Sequence, residues 1–270
     1  MTEYTGREFK DQVVWICGGT SGIGLAIATH FAATGAKIAL LGRDETKAKS
    51  AAGQISEDTG AATLTTIADV REPAQLQSAV EKVHAQWGLI DIVIAAAAGN
   101  FVAPIEGLSS NGFRSVVDID LLGSFHVAKA AHPYLRSPGA RLLYISAPQA
   151  TMPAWGQSHV SAAKAGVDML TRSLALEWGP QGIRVNGLVP GPIEGTEGME
   201  RLAPTRAQRQ QLADKMPLRR LGTLDDIAQT ALFLCSPAAA YVHGSIINCD
   251  GGLSLVGLSA TLPNSNSADN

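Results

Sequence analysis

Short apolar segments alternate along the chain with longer segments in which apolar residues recur every three or four positions. The first apolar segment is Val13-Val-Trp-Ile-Cys17, and after a glycine-rich turn Ile23, Ile27 and Phe31 repeat at helical spacing. Continuous apolar runs such as residues 92–95 are typical of strands that are covered on both faces. The alternation predicts an α/β protein with one doubly wound parallel sheet and helices on both of its faces.

The same pattern predicts the remaining elements. We expect strands at 13–17, 37–41, 64–68, 90–95, 141–145, 184–189 and 245–249, about seven in all. We expect helices from 23, from 73, at 110–134, at 158–178 and at 223–235. Residues 194–222 are rich in Gly, Pro and Arg, which favours a mobile loop, whereas residues 256–270 are polar and are expected to form a disordered tail.

Composition narrows the classes of function. The 270 residues are 46% hydrophobic and 17% charged, as in a folded globular protein. The formal net charge is −3, and the sequence has no basic cluster larger than the pair Arg219-Arg220. We therefore expect neither nucleic acid nor a membrane as a partner. The three cysteines and six histidines show no spacing typical of a disulfide framework or a metal site.

Targeting signals are also unexpected in this sequence. The first twelve residues are polar, and no apolar run approaches the roughly 18–20 residues that cross a bilayer. The C-terminal residues carry neither a Ser-Lys-Leu peroxisomal address nor a prenylation box. These features together predict a cytoplasmic protein.

A glycine-rich turn between the first strand and the first helix indicates a dinucleotide site. Glycines allow a tight turn and let backbone N–H groups approach a pyrophosphate, while the helix N-terminus adds positive partial charge. The spacing Gly-x-x-x-Gly-x-Gly in a first strand-to-helix turn favours this interpretation over simple packing. It predicts a Rossmann-type domain at residues 1–255 and a cofactor site that includes Gly18, Thr20, Ser21, Gly22, Ile23 and Gly24.

The end of the second strand indicates which dinucleotide is bound. Sites that prefer NAD place a carboxylate there to hold the ribose 2′-hydroxyl, but here the residues are Gly42-Arg43. The guanidinium of Arg43 can pair with a 2′-phosphate, so NADP(H) is the expected cofactor. An ordinary solvated arginine is the alternative; Asp44 weakens the prediction, whereas Lys47 adds a second positive charge.

Further motifs give the chain a resemblance to the short-chain dehydrogenase/reductase family. They span residues 13–252 and are Gly18–Gly24, Asp69-Val70, Ala95–Gly99, Lys164, Pro190–Ile193 and Asp250-Gly-Gly252. The resemblance implies that Asp69 and Val70 lie along the adenine and that Pro190, Gly191 and Ile193 lie near the nicotinamide. It also implies that Ala97 and Lys164 contact the cofactor. A homotetramer is expected from the resemblance and from the small and apolar residues of helices 110–134 and 158–178.

Departures from the usual family pattern narrow the resemblance to one branch. The catalytic Tyr and Ser of most members correspond to Val160 and Ala147, and a helical Asn corresponds to Asp120. Valine and alanine cannot transfer a proton to a carbonyl oxygen, which makes ordinary alcohol or ketone chemistry doubtful. With residues 97–101 and His159, these departures resemble the 2,4-dienoyl-CoA reductases, more the peroxisomal than the mitochondrial type.

That resemblance implies NADPH-dependent reduction of 2,4-dienoyl-CoA to 3-enoyl-CoA. Asp120 and Lys164 are the expected catalytic residues, with a water held between them; a structural Asp120 is the alternative. The implied substrate contacts are Arg71, Phe101, Ser109, Ser110, Asn111, His159 and Arg201, although a lone histidine is more often structural and a loop arginine is often only solvated.

Two other functions stay open at this stage. One is a 3-oxoacyl or other carbonyl reductase in which Asp120 or His159 replaces the tyrosine. The other is a nucleotide-binding homologue without catalysis, which the retained Lys164 disfavours.

Overall fold

A computed structural model describes residues 8–257 of the chain. Within that range, seven parallel strands form one sheet in the order β3-β2-β1-β4-β5-β6-β7. The strands are β1 (Val13–Cys17), β2 (Lys37–Gly42), β3 (Thr63–Ile67), β4 (Ile92–Ala95), β5 (Arg141–Ile145), β6 (Arg184–Pro190) and β7 (Ile246–Cys249). The predicted doubly wound parallel sheet is confirmed.

Helices cover both faces of the sheet. They are α1 (Gly22–Ala33), α2 (Glu45–Thr59), α3 (Pro73–Trp87), α4 (Ser110–Val117), α5 (Gly123–Ala131), α6 (Ser158–Trp178), α7 (Glu197–Leu202), α8 (Arg206–Lys215) and α9 (Leu224–Cys235). Side chains of β1 alternate between two apolar clusters: Trp15 packs with α3, α5 and α6, whereas Ile16 packs with α1, α2 and α9. The period-two alternation of a strand therefore supplies both layers of the core.

The predicted single helix at 110–134 is divided in the structure. α4 and α5 are joined by a π-helical turn, Asp118–Leu122, in which the Gly123 N–H bonds to the Asp118 carbonyl, and a 3₁₀ turn follows at His132–Tyr134. A π-turn holds one residue more than an α-helical turn, so it changes which residues face the sheet. Apolar periodicity does not reveal such an insertion.

Two further regions differ from the expected pattern. α2 was not predicted, because its buried face consists of three alanines and Ile55 and so lacks a wide apolar stripe. The segment 194–222 contains α7 and α8; its predicted mobility stays a prediction. Most of the expected tail, residues 258–270, lies outside the described residues.

Candidate active site

A cavity of about 1040 Å³ opens at the carboxyl ends of the strands, where β1 and β4 lie side by side and the strand order reverses. Ligands of open α/β sheets bind at this position. Every residue predicted to contact the cofactor lines the cavity: Gly18, Thr20, Ser21, Gly22, Ile23, Gly24, Arg43, Asp69, Val70, Ala97, Lys164, Pro190, Gly191 and Ile193.

The glycine turn packs closely on neighbouring backbone at the start of α1. Gly18 has φ +84°, and a Cβ there would lie 2.6 Å from the Ala97 nitrogen; a Cβ at Gly24 would lie 2.2 Å from the Gly18 carbonyl oxygen. At the N-cap, the Ser21 side chain accepts no hydrogen bond from the first helical turn. Backbone N–H groups of that turn can therefore bind a phosphate. The turn fits the pyrophosphate of a dinucleotide.

Two arginines lie near one carboxylate at the end of the cavity beside β2 and β3. Arg71 donates to both oxygens of Asp69, at 3.0 and 2.6 Å, and the Arg43 Nη1 lies 3.9 Å from Asp69 Oδ2. The pKa of Asp69 is lowered from its ordinary value, chiefly by Arg71 and more weakly by Arg43. The Arg43 side chain is 68% exposed, so it can turn toward a ligand. Arg71, a predicted substrate contact, is held on Asp69 and does not line the cavity.

Asp44 has a structural task next to this cluster. Its Oδ1 accepts a hydrogen bond from the Lys47 N–H at 3.0 Å and so caps α2. A capping carboxylate satisfies an otherwise unpaired donor of the first helical turn. The Asp44 carboxylate is therefore used as a helix cap. The positively charged Arg43 and Lys47 line this end of the cavity.

Asp120 and Lys164 come together in the cavity wall. Asp120 is 1% exposed and Lys164 is 5% exposed, and the Lys164 Nζ lies 3.3 Å from Asp120 Oδ2. Nζ also donates to the Ile145 carbonyl at 3.0 Å, and Asp120 Oδ1 accepts from the Gly99 N–H at 2.7 Å. Oδ2 accepts no hydrogen bond from any described residue. Lys164 Nζ and Asp120 Oδ1 are thus held by backbone groups, whereas Asp120 Oδ2 remains as an acceptor without a hydrogen bond from the described residues.

The positions of the usual tyrosine and serine are apolar in the same wall. Val160 and Ala147 both line the cavity. The neighbouring Ser146 does not substitute for them, because its hydroxyl donates to Asp168 at 2.5 Å. Burial raises the pKa of Asp168, partly offset by that hydrogen bond and by the charges of Arg172 and Lys164.

The predicted substrate residues lie outside the cavity lining. His159 is fully buried; its Nε2 lies 3.1 Å from the Phe101 carbonyl, and the two rings stack at 4.4 Å between centroids. Because a carbonyl only accepts, Nε2 is the protonated nitrogen. Ser109 caps α4 through the Gly112 N–H, Ser110 and Asn111 are exposed in its first turn, and Arg201 donates to the Asn100 carbonyl at 3.3 Å.

Sequence reasoning missed a chain of three carboxamides near the Asp120–Lys164 pair. The Gln149 Nε2 donates to Gln157 Oε1 at 2.6 Å, and the Gln157 Nε2 donates to Asn100 Oδ1 at 3.1 Å. Asn100 and Gln149 line the cavity. Asn100 belongs to the segment 97–101 that carries part of the family resemblance. Amide side chains, however, have no characteristic spacing from which Asn100, Gln149 and Gln157 could be grouped.

Two classes of site are not found in residues 8–257. No group of three or more His, Cys, Asp or Glu side chains there could hold a metal ion. Nor does that part of the chain contain a helix with the length and apolarity needed to span a bilayer.

Comparison with known proteins identifies the family. A family model described as enoyl-(acyl carrier protein) reductase matches residues 18–254. The peroxisomal 2,4-dienoyl-CoA reductase of Saccharomyces cerevisiae is 43% identical over 91% of this chain and 85% of its own, and that of Mus musculus is 42% identical over 90% and 84%. A short-chain dehydrogenase structure from Bacillus anthracis is 40% identical, with a TM-score of 0.83 over 91% of this chain and 97% of that one. The chain therefore belongs to the short-chain dehydrogenase/reductase family and is similar to its 2,4-dienoyl-CoA reductases.

Proposed function

We propose that this oxidoreductase is an NADPH-dependent 2,4-dienoyl-CoA reductase that forms 3-enoyl-CoA. The observation that carries the proposal is the buried Asp120–Lys164 pair in a wall where Val160 and Ala147 provide no hydroxyl. A site of this kind can deliver a proton but offers no tyrosine-type acid to a ketone oxygen. Both curated relatives described above are named as 2,4-dienoyl-CoA reductases, which supports the same substrate class.

The cofactor is proposed to be NADP(H). The glycine turn would hold the pyrophosphate, and Arg43, with Lys47 beside it, would pair with the 2′-phosphate. When bound, the nicotinamide supplies the hydride. Lys164 would bind the ribose hydroxyls with the donor capacity of Nζ that the Ile145 carbonyl does not use.

Residues of the chain would stabilise the negative charge on the thioester oxygen and supply the proton to the α-carbon. Hydride addition at the far end of the diene sends an electron pair through the conjugated system to the thioester oxygen. Asn100 lines the cavity, and its side-chain N–H₂ would donate to that oxygen. A water on Asp120 Oδ2 and Lys164 Nζ would then protonate the α-carbon, and Lys164 would return a proton to the water. The product keeps one double bond, between carbons 3 and 4.

A carbonyl reductase is the second candidate, and the geometry favours it less. His159 cannot replace the tyrosine as the predicted alternative requires, because its Nε2 proton is directed at the Phe101 carbonyl and its ring lies off the cavity. Asp120 alone would have to act as the acid. Its Oδ1 already accepts the Gly99 N–H and its Oδ2 faces the Lys164 ammonium, so neither oxygen is directed at a ketone as a donor.

We also propose a homotetramer. Helices α4, α5 and α6 and the π-turn expose the large apolar side chains of Phe113, Leu122, Phe125, Met169 and Leu176. A cluster of this kind on one face of a fold is typical of an interface between subunits. The cytoplasm remains the proposed compartment, while the two curated relatives are named as peroxisomal.

Turnover of two substrates tests the function. Purified protein is mixed with NADPH and either 2,4-dienoyl-CoA or 3-oxoacyl-CoA of equal chain length, and cofactor absorbance is followed. We expect turnover of the dienoyl thioester only and a product without the conjugated enoyl-thioester absorbance of a 2-enoyl-CoA. Preference for the 3-oxoacyl substrate would establish the second candidate, and absence of turnover with both would favour a nucleotide-binding homologue.

A further inference from the structure

We infer that Gln157 is a positioning residue that decides which atom of the Asn100 carboxamide faces the substrate. Gln157 directly precedes α6 and is 4% exposed. The oxygen and the nitrogen of its side-chain amide have separate partners, since Oε1 accepts from Gln149 and Nε2 donates to Asn100. The inference rests on the proposed function, in which Asn100 donates to the thioester oxygen.

The hydrogen bonds of the three carboxamides run in one direction. A carboxamide has one accepting oxygen and one donating nitrogen, so a buried amide with a partner on each side cannot reverse alone. Because Asn100 Oδ1 is used by Gln157, Nδ2 is the group left to face the cavity. At the other end, Gln149 Oε1 accepts no bond from any described residue. The series of hydrogen bonds therefore ends in a donor at Asn100 and in a buried acceptor at Gln149.

The backbone around Asn100 is held independently of Gln157. The Gly99 N–H donates to Asp120, the Asn100 carbonyl accepts from Arg201, and the Phe101 carbonyl accepts from His159. Three consecutive residues are thus tied to three different elements. The orientation of the Asn100 side-chain amide is not fixed by these backbone contacts. Gln157 is the side chain that donates to its oxygen.

Amide direction matters for the rate more than for cofactor binding. An N–H aimed at the thioester oxygen gains strength as negative charge develops there, whereas an oxygen in the same place would repel that charge. Reversal of the amide should therefore lower kcat and leave the Kd of NADPH unchanged.

Isosteric substitutions separate direction from packing. In Gln157→Glu both carboxylate oxygens accept, so Asn100 must turn its Nδ2 to residue 157 and show Oδ1 to the cavity. In Gln149→Glu, residue 149 can only accept, so Gln157 must turn its Nε2 to residue 149 and its Oε1 to Asn100. Asn100 then again shows Oδ1 to the cavity. We expect each variant to lose roughly 10²–10³-fold in kcat. Gln157→Met releases the amide without reversing it and should lose less. Gln86→Glu, on the exposed face of α3, adds the same charge and should behave as wild type.

A second measurement does not depend on turnover. The Asn100 side-chain N–H₂ is followed by NMR after asparagine labelling, with Asn100→Asp as the assignment control. Its exchange with water should be slower in Gln157→Glu and Gln149→Glu, where it is hydrogen-bonded, than in wild type. Unchanged exchange, or a Gln157→Met loss as large as that of Gln157→Glu, would overturn the positioning role. If the wild type fails to reduce 2,4-dienoyl-CoA, the proposed function is wrong, and the exchange rates alone decide the role of Gln157.

Discussion

Replacement of Asp120 by Asn tests the proton relay most directly. The wild-type carboxylate accepts a hydrogen bond from the Gly99 N–H at 2.7 Å through Oδ1, and its Oδ2 forms an ion pair with the Lys164 ammonium at 3.3 Å. Asparagine has one acceptor and one donor, so whichever way its amide turns, an N–H₂ group meets one of these two donors. Asp120→Asn therefore removes the counter-charge of a buried ammonium and creates a donor–donor contact as well.

The size of the effect follows from that geometry. A charge pair at 3.3 Å in an effective dielectric constant of about 20 has a Coulomb energy near 5 kcal/mol, before desolvation is subtracted. Removal of one partner from a buried pair typically costs about 3–5 kcal/mol of stability, which lowers Tm by roughly 6–20 °C in a protein of this size. Loss of proton delivery should separately lower kcat by about 10²–10⁴-fold.

The assay must keep these two effects apart. Turnover of 2,4-dienoyl-CoA is measured at 25 °C, after the fold has been verified by circular dichroism, together with NADPH titration. The affinity for NADPH should change little, because Asp120 is not assigned a cofactor contact. Asp118→Asn, two residues away in the same π-turn, is the matched control and should keep full activity. A folded Asp120→Asn enzyme with near-wild-type kcat would show that Asp120 is structural and would refute the relay.

Three further results are expected. Arg43→Ala should weaken NADPH by about 1–3 kcal/mol and leave NADH unchanged in titrations; equal losses would show that Arg43 does not read the 2′-phosphate. Arg220 holds the pKa of Asp226 far below its ordinary value, so the pair stabilises the fold above pH ~4 and less as the pH falls toward the folded pKa. Asp226→Asn should accordingly lower Tm at pH 7, by an amount that shrinks below pH ~4, and a constant deficit in thermal scans would contradict this. Phe125→Lys should dissociate the tetramer in light scattering; a wild-type monomer at micromolar concentration would refute the assembly.

Much of the fold was predictable because strands buried on both faces leave a plain apolar signal. The strand Ile92–Ala95 is entirely buried, and α3 shows its inward stripe through Leu76, Val80 and Val83. The helix α2 left no comparable signal, since alanine is buried there but is equally common on surfaces. The π-turn could not be predicted for another reason: it changes the spacing of the backbone hydrogen bonds without requiring different residue types.

The site was predictable where its chemistry depends on the backbone or on charge. Glycines mark the cofactor turn, and Asp120 and Lys164 stand at positions that the family resemblance singles out. The carboxamide chain was not predictable, because Asn100 follows β4 whereas Gln149 and Gln157 lie between β5 and α6, and their grouping depends on tertiary packing. His159 is a predicted substrate contact, yet it is buried against Phe101, because an imidazole can donate to a backbone carbonyl as well as to a ligand.

The π-turn at Asp118–Leu122 also constrains which insertions and deletions this helix can accept. Each residue of an α-helix turns the chain by about 100°, so loss of one residue here would rotate either Asp120 or the whole of α5. Rotation of α5 would carry Val127 and Ala131 off the sheet, where both are now buried. During divergence of the sequence, side chains along this stretch can change one at a time, but the number of residues cannot change without loss of either the Asp120–Lys164 pair or the packing of α5.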